Sequence, residues 1–228
     1  MKSHLKNLIS HTPELLNRKI LDIGSGEGDF LIDVVIEGGD IYGLDRNKEY
    51  IEIALNKAEV NKVSINLVEG IAERLPFKNN EFGFLNISEV IEHVKNADLL
   101  IKEAYRVLEI GGSAYLSVPS RFSFKDPHFH LYFVNWLPRF VSDPFIFVFG
   151  KHKDYKGSAG EQKLSEMNYY KFNDIKKKLK EVGFYVIDIR ERKIKNKIQN
   201  RLLRHLLLFI YKMIRPFYFD TFHLLLKK

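Results

Sequence analysis

Alternation of strand-like and helix-like segments constrains the fold of this chain more than any other feature. Apolar runs typical of strands occupy 19–24, 40–45, 64–70, 81–88 and 113–120, and segments with apolar residues at helical spacing occupy 27–39, 47–62 and 88–112. This alternation predicts an α/β fold with a mostly parallel sheet and helices on both faces. In open sheets of this kind, ligands bind beyond the carboxyl ends of the strands.

A glycine-rich turn, ILDIGSGEG at 20–28, follows the first predicted strand. Its glycines let the backbone turn tightly and approach a ligand, and the helix that follows presents free N–H groups. Dinucleotides, mononucleotides and S-adenosylmethionine all suit such a turn. A dinucleotide fingerprint needs glycine where this chain has Asp29, and a phosphate-binding loop needs a Lys-Ser/Thr pair that the turn lacks. Asp22, before the first glycine, would repel a pyrophosphate but could meet an ammonium group.

A second acid, Asp45, closes the second predicted strand in YGLD. A carboxylate at this position can accept hydrogen bonds from both ribose hydroxyls of an adenosine. Enzymes that bind NAD place an acid similarly, so Asp45 alone does not distinguish between the cofactors. Together with the glycine turn, it indicates a nucleoside site.

These segments resemble the class I S-adenosylmethionine-dependent methyltransferases, in particular the small-molecule branch of ubiquinone and menaquinone biosynthesis. The resemblance covers 18–120 and 168–190, and rests on five segments in the family's order: LDIGSGEG, GLDRN, EGIAERLPFKNNEF, SEVIEHV and RVLEIGGSAYLSVPS. It implies a three-layer Rossmann-like sandwich, S-adenosylmethionine as the cofactor, and methyl transfer by in-line displacement.

The resemblance also assigns cofactor-binding residues. Asp22 is expected near the methionine amino group, Asp45 at the ribose, Arg46 beside the adenine, and Ser88 near the methyl donor. The full expected set is Asp22, Gly24, Ser25, Gly26, Gly28, Asp45, Arg46, Ile71, Ala72 and Ser88. The chain departs from the family at Ile71 and Gly83, where the family often has Asp. Loss of one adenine contact at Ile71 would cost about 0.5–1.5 kcal/mol, so we expect weaker binding rather than none.

Three histidines are candidates for contact with the acceptor or for removal of its proton. His93 lies in the helix predicted after the fourth strand, and His128 and His130 lie in the segment DPHFH. A histidine can take up a proton near pH 7. Asp126 together with His128 and His130 would also look like a ligand set, but the surrounding loop is aromatic, and we expect no metal.

An aromatic segment at 120–170 interrupts the regular alternation, and we predict that it forms a lid over the substrate. Its many large apolar residues, including the only tryptophan at 136, suggest an apolar, aromatic or lipid-linked acceptor. The same residues could simply pack a small core within the lid. The predicted domains are thus a methyltransferase domain at 1–190, with this insertion, and a helical extension at 191–228.

The extension is basic and amphipathic. Residues 151–228 carry 20 Lys and Arg against 8 Asp and Glu, and NRLLRHLLLFIYKMIRPFYF places Arg201, Arg204 and Lys212 among leucines. Residues 195–228 are therefore compatible with an anionic membrane surface. A helix docked on the domain itself or on a second subunit is the alternative, and nothing in the sequence fixes the oligomeric state. Nucleic acid is not an expected partner, since no RNA-binding signature is present.

The absence of cysteine excludes disulfides and thiolate metal sites, and the amino terminus lacks a secretion signal, so the expected location is the cytoplasm, with membrane association possible. We therefore expect an S-adenosylmethionine-dependent methyltransferase with a small-molecule or lipid-like acceptor. A non-catalytic protein that binds S-adenosylmethionine or a nucleoside is the alternative. A nucleotide-dependent oxidoreductase is disfavoured by Asp29.

Overall fold

The computed structural model describes residues 3–149 and 162–228. Within them, helices and strands alternate as the sequence pattern predicts. The elements are α1 Ser3–His11, β1 Lys19–Ile23, α2 Asp29–Ile36, β2 Asp40–Asp45, α3 Lys48–Val60, β3 Asn66–Glu69, β4 Phe82–Ile87, α4 Ala97–Val107, β5 Leu108–Pro119, α5 Arg139–Phe149, α6 Phe172–Val182, β6 Tyr185–Asp188, α7 Ile189–Lys197, α8 Arg201–Tyr218 and β7 Thr221–Lys227.

The described strands form one seven-stranded sheet in the order β3-β2-β1-β4-β5-β7-β6. Pairings among β1 to β5 are parallel, and β7 runs antiparallel between β5 and β6. The strand order reverses direction between β1 and β4, which makes their carboxyl ends the topological switch point where such sheets bind ligands. The expected mostly parallel α/β sheet is therefore confirmed.

Two apolar cores lie on opposite faces of this sheet. On one face, Leu100 and Ile101 of α4 and Leu179 of α6 pack against strand residues, and on the other, Leu8 of α1 and Leu31 of α2 do so. The amphipathic spacing of these helices explains the arrangement, since each buries one apolar stripe. The result is the expected three-layer sandwich.

The segment 88–112, predicted as one helix, divides into a turn, a helix and a strand. Helix α4 covers only Ala97–Val107, and its first turn is capped by the Asn96 side chain, which accepts hydrogen bonds from two backbone N–H groups. The pair Gly111-Gly112, interpreted as a helix stop, lies inside β5. The prediction failed because the turn at 88–96 is also rich in apolar residues, and periodicity cannot distinguish it from a helix.

The tail forms two helices and a strand instead of a purely helical extension. Helices α7 and α8 match the prediction, but Thr221–Lys227 is β7, which pairs with both β5 and β6. Phe222, Leu224 and Leu226 are buried in one core and Leu225 in the other, because helices cover both faces of the sheet there. A short continuous apolar run has no strand-specific period, so the sequence did not reveal it.

The aromatic insertion contains its own small core wherever the structure describes it. Val134, Ile146, Leu164, Met167 and Tyr169 are buried together; the first three lie in α5 and two short 3₁₀ turns, and the last two follow the second turn. Residues 150–161 of the predicted lid lie outside the described residues. No helix in the described part of the chain is both long and apolar enough to cross a membrane.

Candidate active site

The glycine-rich turn joins β1 to α2 at the switch point. Gly24 and Ser25 both donate their backbone N–H groups to the Leu44 carbonyl, at 2.8 and 3.0 Å, which ties the turn to the neighbouring β2. Gly24 and Gly26 have φ values of 72° and 52°. A Cβ at Gly24 would lie 2.5 Å from Val90, whereas a Cβ at Gly26 would meet nothing within 4 Å. Gly26 therefore borders open space that a ligand can fill.

Asp45 links the turn to the end of β2. One carboxylate oxygen accepts the Gly26 N–H and the other accepts the Asn47 N–H, each at 2.8 Å. The side chain is almost fully buried. Each carboxylate oxygen has two lone pairs, so Asp45 retains acceptor capacity for a ribose. The sequence placed Asp45 at this edge correctly, and the structure adds that it first orders the glycine turn.

Asp22 lies beneath the turn in a polar chain of three side chains. Its carboxylate accepts a 2.7 Å hydrogen bond from Asn86 Nδ2, and Asn86 Oδ1 contacts His4 Nε2 at 3.1 Å. The pKa of Asp22 is raised to about 7, chiefly by burial; the Asn86 hydrogen bond opposes this rise, and the charge of nearby Asp45 adds to it. A cation at this position, such as the ammonium group of an amino acid, would restore the ionised form.

The expected adenine side of the site has one exposed and one buried residue. Ile71 is 51% exposed and Ala72 is buried, while Arg46 is exposed. Gly70 donates its N–H to the Asp45 carbonyl at 2.9 Å, so this loop is fixed next to the ribose acid. The exposed side chain of Ile71 at the cleft can pack against one face of an adenine ring. The structure thus brings 45–46 and 71–72 to one edge.

Ser88 begins the turn after β4, and the expected helix there is absent. The next residue, Glu89, has a φ of 56° and donates its N–H to Ser117 Oγ at 2.7 Å. The following Val90 packs onto Gly24. This tight turn brings the segment after β4 against the glycine turn, and Ser88 lies between β4 and Val90 in the sequence.

Two of the three candidate histidines meet beside a buried acid. His128 Nε2 lies 3.4 Å from Glu92 Oε1, and the rings of His93 and His128 are 5.2 Å apart. Glu92 and His128 are buried, and His93 is half-buried with Nδ1 2.8 Å from Gln162 Oε1. Burial lowers the pKa of His93, although Glu92 opposes that effect. His93 is therefore neutral at pH 7 and can accept a proton.

His130 does not join this cluster. It is exposed and adopts a φ of 58°, in a turn held by its backbone N–H bond to the Asp126 carbonyl. Asp126 is fully buried and accepts hydrogen bonds from the backbone of His128 and from the Tyr169 hydroxyl. These bonds fix the loop so that His128 faces inward while His130 faces outward.

The cluster also has the composition of a divalent cation site. One ligand atom from each of Glu92, His93 and His128 lies within 4.8 Å of the others. A carboxylate with two imidazoles is a donor set that zinc and related ions accept. The ligand-like set in the sequence was Asp126, His128 and His130, whereas the structure places His128 with Glu92 and His93 instead.

Sequence reasoning missed three residues that shape the site. Asn86 and His4 form the polar chain to Asp22, and Glu92 joins the two histidines. Asn86 could have been found, because it is a polar residue inside a run of apolar residues in β4, directly opposite Asp22 in the sheet register. His4 could not, since only the packing of α1 across the sheet brings it there.

A family model described as a methyltransferase domain matches residues 21–116 of this chain. The chain is 36% identical over 142 residues to the demethylmenaquinone methyltransferase of Bacillus licheniformis, an alignment that covers 59% of this chain and 58% of that protein. It is 30% identical over 166 residues to the ubiquinone biosynthesis O-methyltransferase of Pelagibacter ubique, with 68% and 67% covered.

Among solved structures, an S-adenosylmethionine-dependent methyltransferase from Mesorhizobium loti superposes over 100% of this chain and 98% of its own, with a TM-score of 0.64 and 15% identity. At this identity the likeness concerns the fold alone. The chain spans 38% of the length of one curated relative that it matches and 58% of another.

Proposed function

This chain belongs to the methyltransferase domain family, and we propose that it transfers the methyl group of S-adenosylmethionine to a small apolar acceptor. The observation that carries the proposal is the contact of Gly26 with Asp45 at the switch point of the sheet. This hydrogen bond joins two parts of the site. One is the glycine turn, which borders open space, and the other is the acid that can hold a ribose. Asp22 adds a buried carboxyl suited to an ammonium group.

The residues of the site fit this cofactor. Among the described residues, Ser25 Oγ is buried without a hydrogen-bond partner, and Gly26 borders unfilled space in the same turn. Asp22 and Asp45 would hold the two polar ends of the molecule, and Ile71 and Ala72 would flank the adenine. The cofactor supplies an electrophilic methyl group on a sulfonium sulfur.

The chain then has to align the acceptor, exclude water and remove a proton from an oxygen, nitrogen or carbon nucleophile. His93 suits the last task because burial keeps it neutral at pH 7. His128 adjoins it, and Glu92 offers a carboxylate to an imidazolium once His128 takes up the proton. We assign proton removal to this pair and none to the outward-facing His130.

The proposed acceptor is a lipid-linked aromatic compound of the quinol type. The similar proteins are named for demethylmenaquinone, ubiquinone biosynthesis and a phytylhydroquinone. Apolar residues of the insertion support the same class, since Phe140, Phe147 and Phe149 are all more than 60% exposed. The insertion at 120–170 would cover this acceptor as a lid.

Methylation of a soluble quinol by the purified chain, with radiolabelled S-adenosylmethionine, tests the activity. Calorimetry with S-adenosylmethionine, S-adenosylhomocysteine and NAD tests the cofactor. We expect the first two to bind and NAD not to bind. Cofactor binding without any product over a panel of quinols, catechols and amines would favour the non-catalytic alternative, and binding of NAD alone would contradict both.

We also propose that α8 binds an anionic membrane surface. Its exposed apolar residues recur at helical spacing, at Leu202, Leu206, Phe209, Met213 and Phe217. At its carboxyl end lies an aromatic patch, defined as Phe124, Phe133, Trp136 and Phe217, all between 38% and 55% exposed. Trp136 lies 5.8 Å from Phe217 and 5.3 Å from Phe124, ring to ring. Aromatic rings beside a basic amphipathic helix are typical of membrane interfaces.

The charge of α8 favours a lipid bilayer over a second copy of the chain as the partner of this helix. Helix α8 has no Asp or Glu, and three of its four Lys and Arg lie outside the core, since only Arg215 is buried, in an ion pair with Asp188. A symmetric dimer through α8 would therefore bring two basic surfaces together. Co-sedimentation with phosphatidylglycerol vesicles tests the proposal. We expect Leu206→Gln with Phe209→Gln to weaken binding, while Leu55→Gln, a matched exposed leucine on α3, leaves it unchanged. Equal sedimentation of all three would contradict it.

A further inference from the structure

Two arginines of the insertion lie close to the candidate active site and have incompletely hydrogen-bonded guanidinium groups. Arg121 lies two residues after the carboxyl end of β5, and its backbone N–H donates to the Tyr170 carbonyl at 2.9 Å. Arg139 is the first residue of α5. Both side chains are partly buried. Arg121 therefore stands on the same edge of the sheet as Asp45 and the glycine turn.

Neither guanidinium has its full set of contacts. In each arginine one terminal nitrogen is shielded from solvent yet has no hydrogen-bond partner among the described residues. No ion pair within the described part of the chain includes either side chain; their contacts are with the rings of Phe122 and Tyr169. A partly buried charge that lacks a counter-charge destabilises the folded protein.

The two positive charges also act on each other. Burial lowers the pKa of both arginines, and Arg121 lowers the pKa of Arg139 further. Two carboxylates, Asp126 and Asp143, lie near enough to oppose this effect on Arg139. Both already accept other hydrogen bonds, Asp126 from Tyr169 and the 128–129 backbone, and Asp143 from the Ser165 N–H. Neither carboxylate forms an ion pair with Arg139 among the described residues, so the two guanidinium groups keep N–H donors for a ligand.

A line of ring contacts connects Arg139 to the histidine cluster. The Arg139 guanidinium lies 5.1 Å from the Tyr169 ring, which is 6.1 Å from the His128 ring, and His128 adjoins His93 at 5.2 Å. A single acceptor molecule could therefore present its nucleophile to the histidines and another group to the arginines.

We propose that Arg121 and Arg139 form a binding site for an anionic group of the acceptor, a carboxylate or a phosphate. The planar forks of two arginines match oxyanions of both kinds through paired N–H···O bonds. The inference rests on the proposed function, because it assigns the group to the molecule that is methylated. It adds that the acceptor is acidic as well as apolar. The unpaired charges would then be retained for binding rather than for stability.

Three probes with one aromatic ring and different head groups test the site: benzoate, phenyl phosphate and benzyl alcohol. Dissociation constants are measured by ligand-observed NMR on the full chain with S-adenosylhomocysteine present. We expect at least one of the two anions to bind about tenfold more tightly than the alcohol, since charge-assisted pairs are about twice as strong as neutral ones. Preference for benzoate indicates a carboxylate acceptor, and preference for phenyl phosphate a phosphorylated one. Equal affinities for all three overturn the proposal.

Substitutions of the two arginines test whether they cause the preference for the anionic probes. Arg121→Met and Arg139→Met are each expected to remove the preference for the anion while leaving the affinity for benzyl alcohol unchanged. Arg201→Met, on the exposed start of α8, is the matched control and should behave as the parent chain does. Arg139→Lys keeps the charge but not the fork, and is expected to retain part of the preference.

Two further measurements separate this site from a structural role and from the cofactor site. Each arginine has incompletely paired N–H groups, so its Met variant is expected to unfold at the same urea concentration as the parent or at a higher one. If a variant is clearly destabilised and its preference for the anion is unchanged, the arginine has a packing role instead. Binding of S-adenosylhomocysteine, measured by calorimetry without any probe, tests the proposed function separately. It should be unchanged in both variants.

Discussion

Asn86 holds the carboxyl of Asp22 from the adjacent strand, through a 2.7 Å hydrogen bond between residues in direct register. The bond lies under the glycine turn and is nearly sealed from solvent. The Asn86 amide stabilises a carboxylate less than a positive charge would. The ionised form of Asp22 therefore stays unfavourable until a cation binds beside it.

Cofactor binding is expected to release a proton from Asp22 near neutral pH. Its pKa of about 7 in the folded chain should fall when an ammonium group binds beside it. Calorimetry at pH 6.5 in two buffers with different ionisation enthalpies measures the number of protons released. We expect release in the parent chain and none in Asp22→Asn, and equal enthalpies in both buffers for the parent would contradict the assignment.

Asp22 also predicts how stability depends on pH without the cofactor. Its pKa is raised from 3.8 to about 7 by folding, so its contribution to the unfolding free energy is complete below pH 3.8 and is lost as the pH rises toward 7. The loss amounts to at most about 4 kcal/mol. Urea unfolding should therefore show Asp22→Asn to be less sensitive to pH over this interval than the parent, while Asp40→Asn, at an exposed acid on β2, should not differ.

Gly26→Val is expected to block cofactor binding without unfolding the chain. A Cβ at Gly26 meets no protein atom within 4 Å, so the new side chain would occupy the space left for the ligand. Gly38→Val is the matched control, because Gly38 also has a positive φ and an open surrounding but lies far along the chain from the turn. Both should lose about 1–2 kcal/mol of stability from backbone strain. Similar cofactor affinities in the two variants would refute the role of the turn.

Asp45→Asn is expected to weaken cofactor binding and to loosen the glycine turn. Both oxygens of Asp45 accept backbone N–H groups, and an amide nitrogen in place of one of them would face a second donor. The cost is about 1–3 kcal/mol in unfolding free energy, together with about tenfold in affinity. Denaturation and calorimetry measure the two effects. An intact affinity would show that Asp45 orders the turn only.

His93→Gln is expected to lower kcat with little change in cofactor affinity. Burial lowers the pKa of His93, so the parent should keep its activity below the usual histidine pKa of 6.5 and lose it only at more acidic pH. A pH profile of kcat tests this for an acceptor that must be deprotonated. His130→Gln serves as the control, since His130 points away from the cluster. Equal losses in both variants would assign His93 a different role.

The histidine cluster can be tested directly for metal. If Glu92, His93 and His128 bind a divalent ion, zinc or manganese chloride should raise the Tm of the parent chain but not that of Glu92→Gln. In the sequence, the ligand-like set was Asp126, His128 and His130, and no metal was expected there. Failure of both ions to shift the Tm would leave the cluster as a metal-free acid–base pair.

The order of strands and the cofactor side of the site could be predicted because local rules decide them. Gly24, Gly26 and Asp45 lie at strand ends, and parallel strands bring their carboxyl ends to one edge. The start of α3 also follows a local rule, since the Asn47 side chain accepts the Glu49 N–H and asparagine is a preferred cap residue.

The acceptor side could not be predicted, because distant contacts assemble it. Glu92 and His128 are 36 positions apart, and Asn168 fixes the turn of Glu92 by donating to the carbonyls of Ile91 and Val94. No period or spacing encodes such meetings. The helix assigned to 88–112 and the missed strand β7 were errors of the same kind, since apolar runs there fit more than one structure.

Strand β6 reaches the sheet only through β7, which also closes the free edge of β5. During synthesis, the first five strands can pair as they emerge, but the edge of β5 stays open for the hundred residues that precede Thr221. Until then it is a template for misplaced pairing with another chain. The sheet can therefore be completed only after β7 has been synthesised. Cuts or fusions near 221–227 should lower the yield of protein from cells more than any change within the insertion.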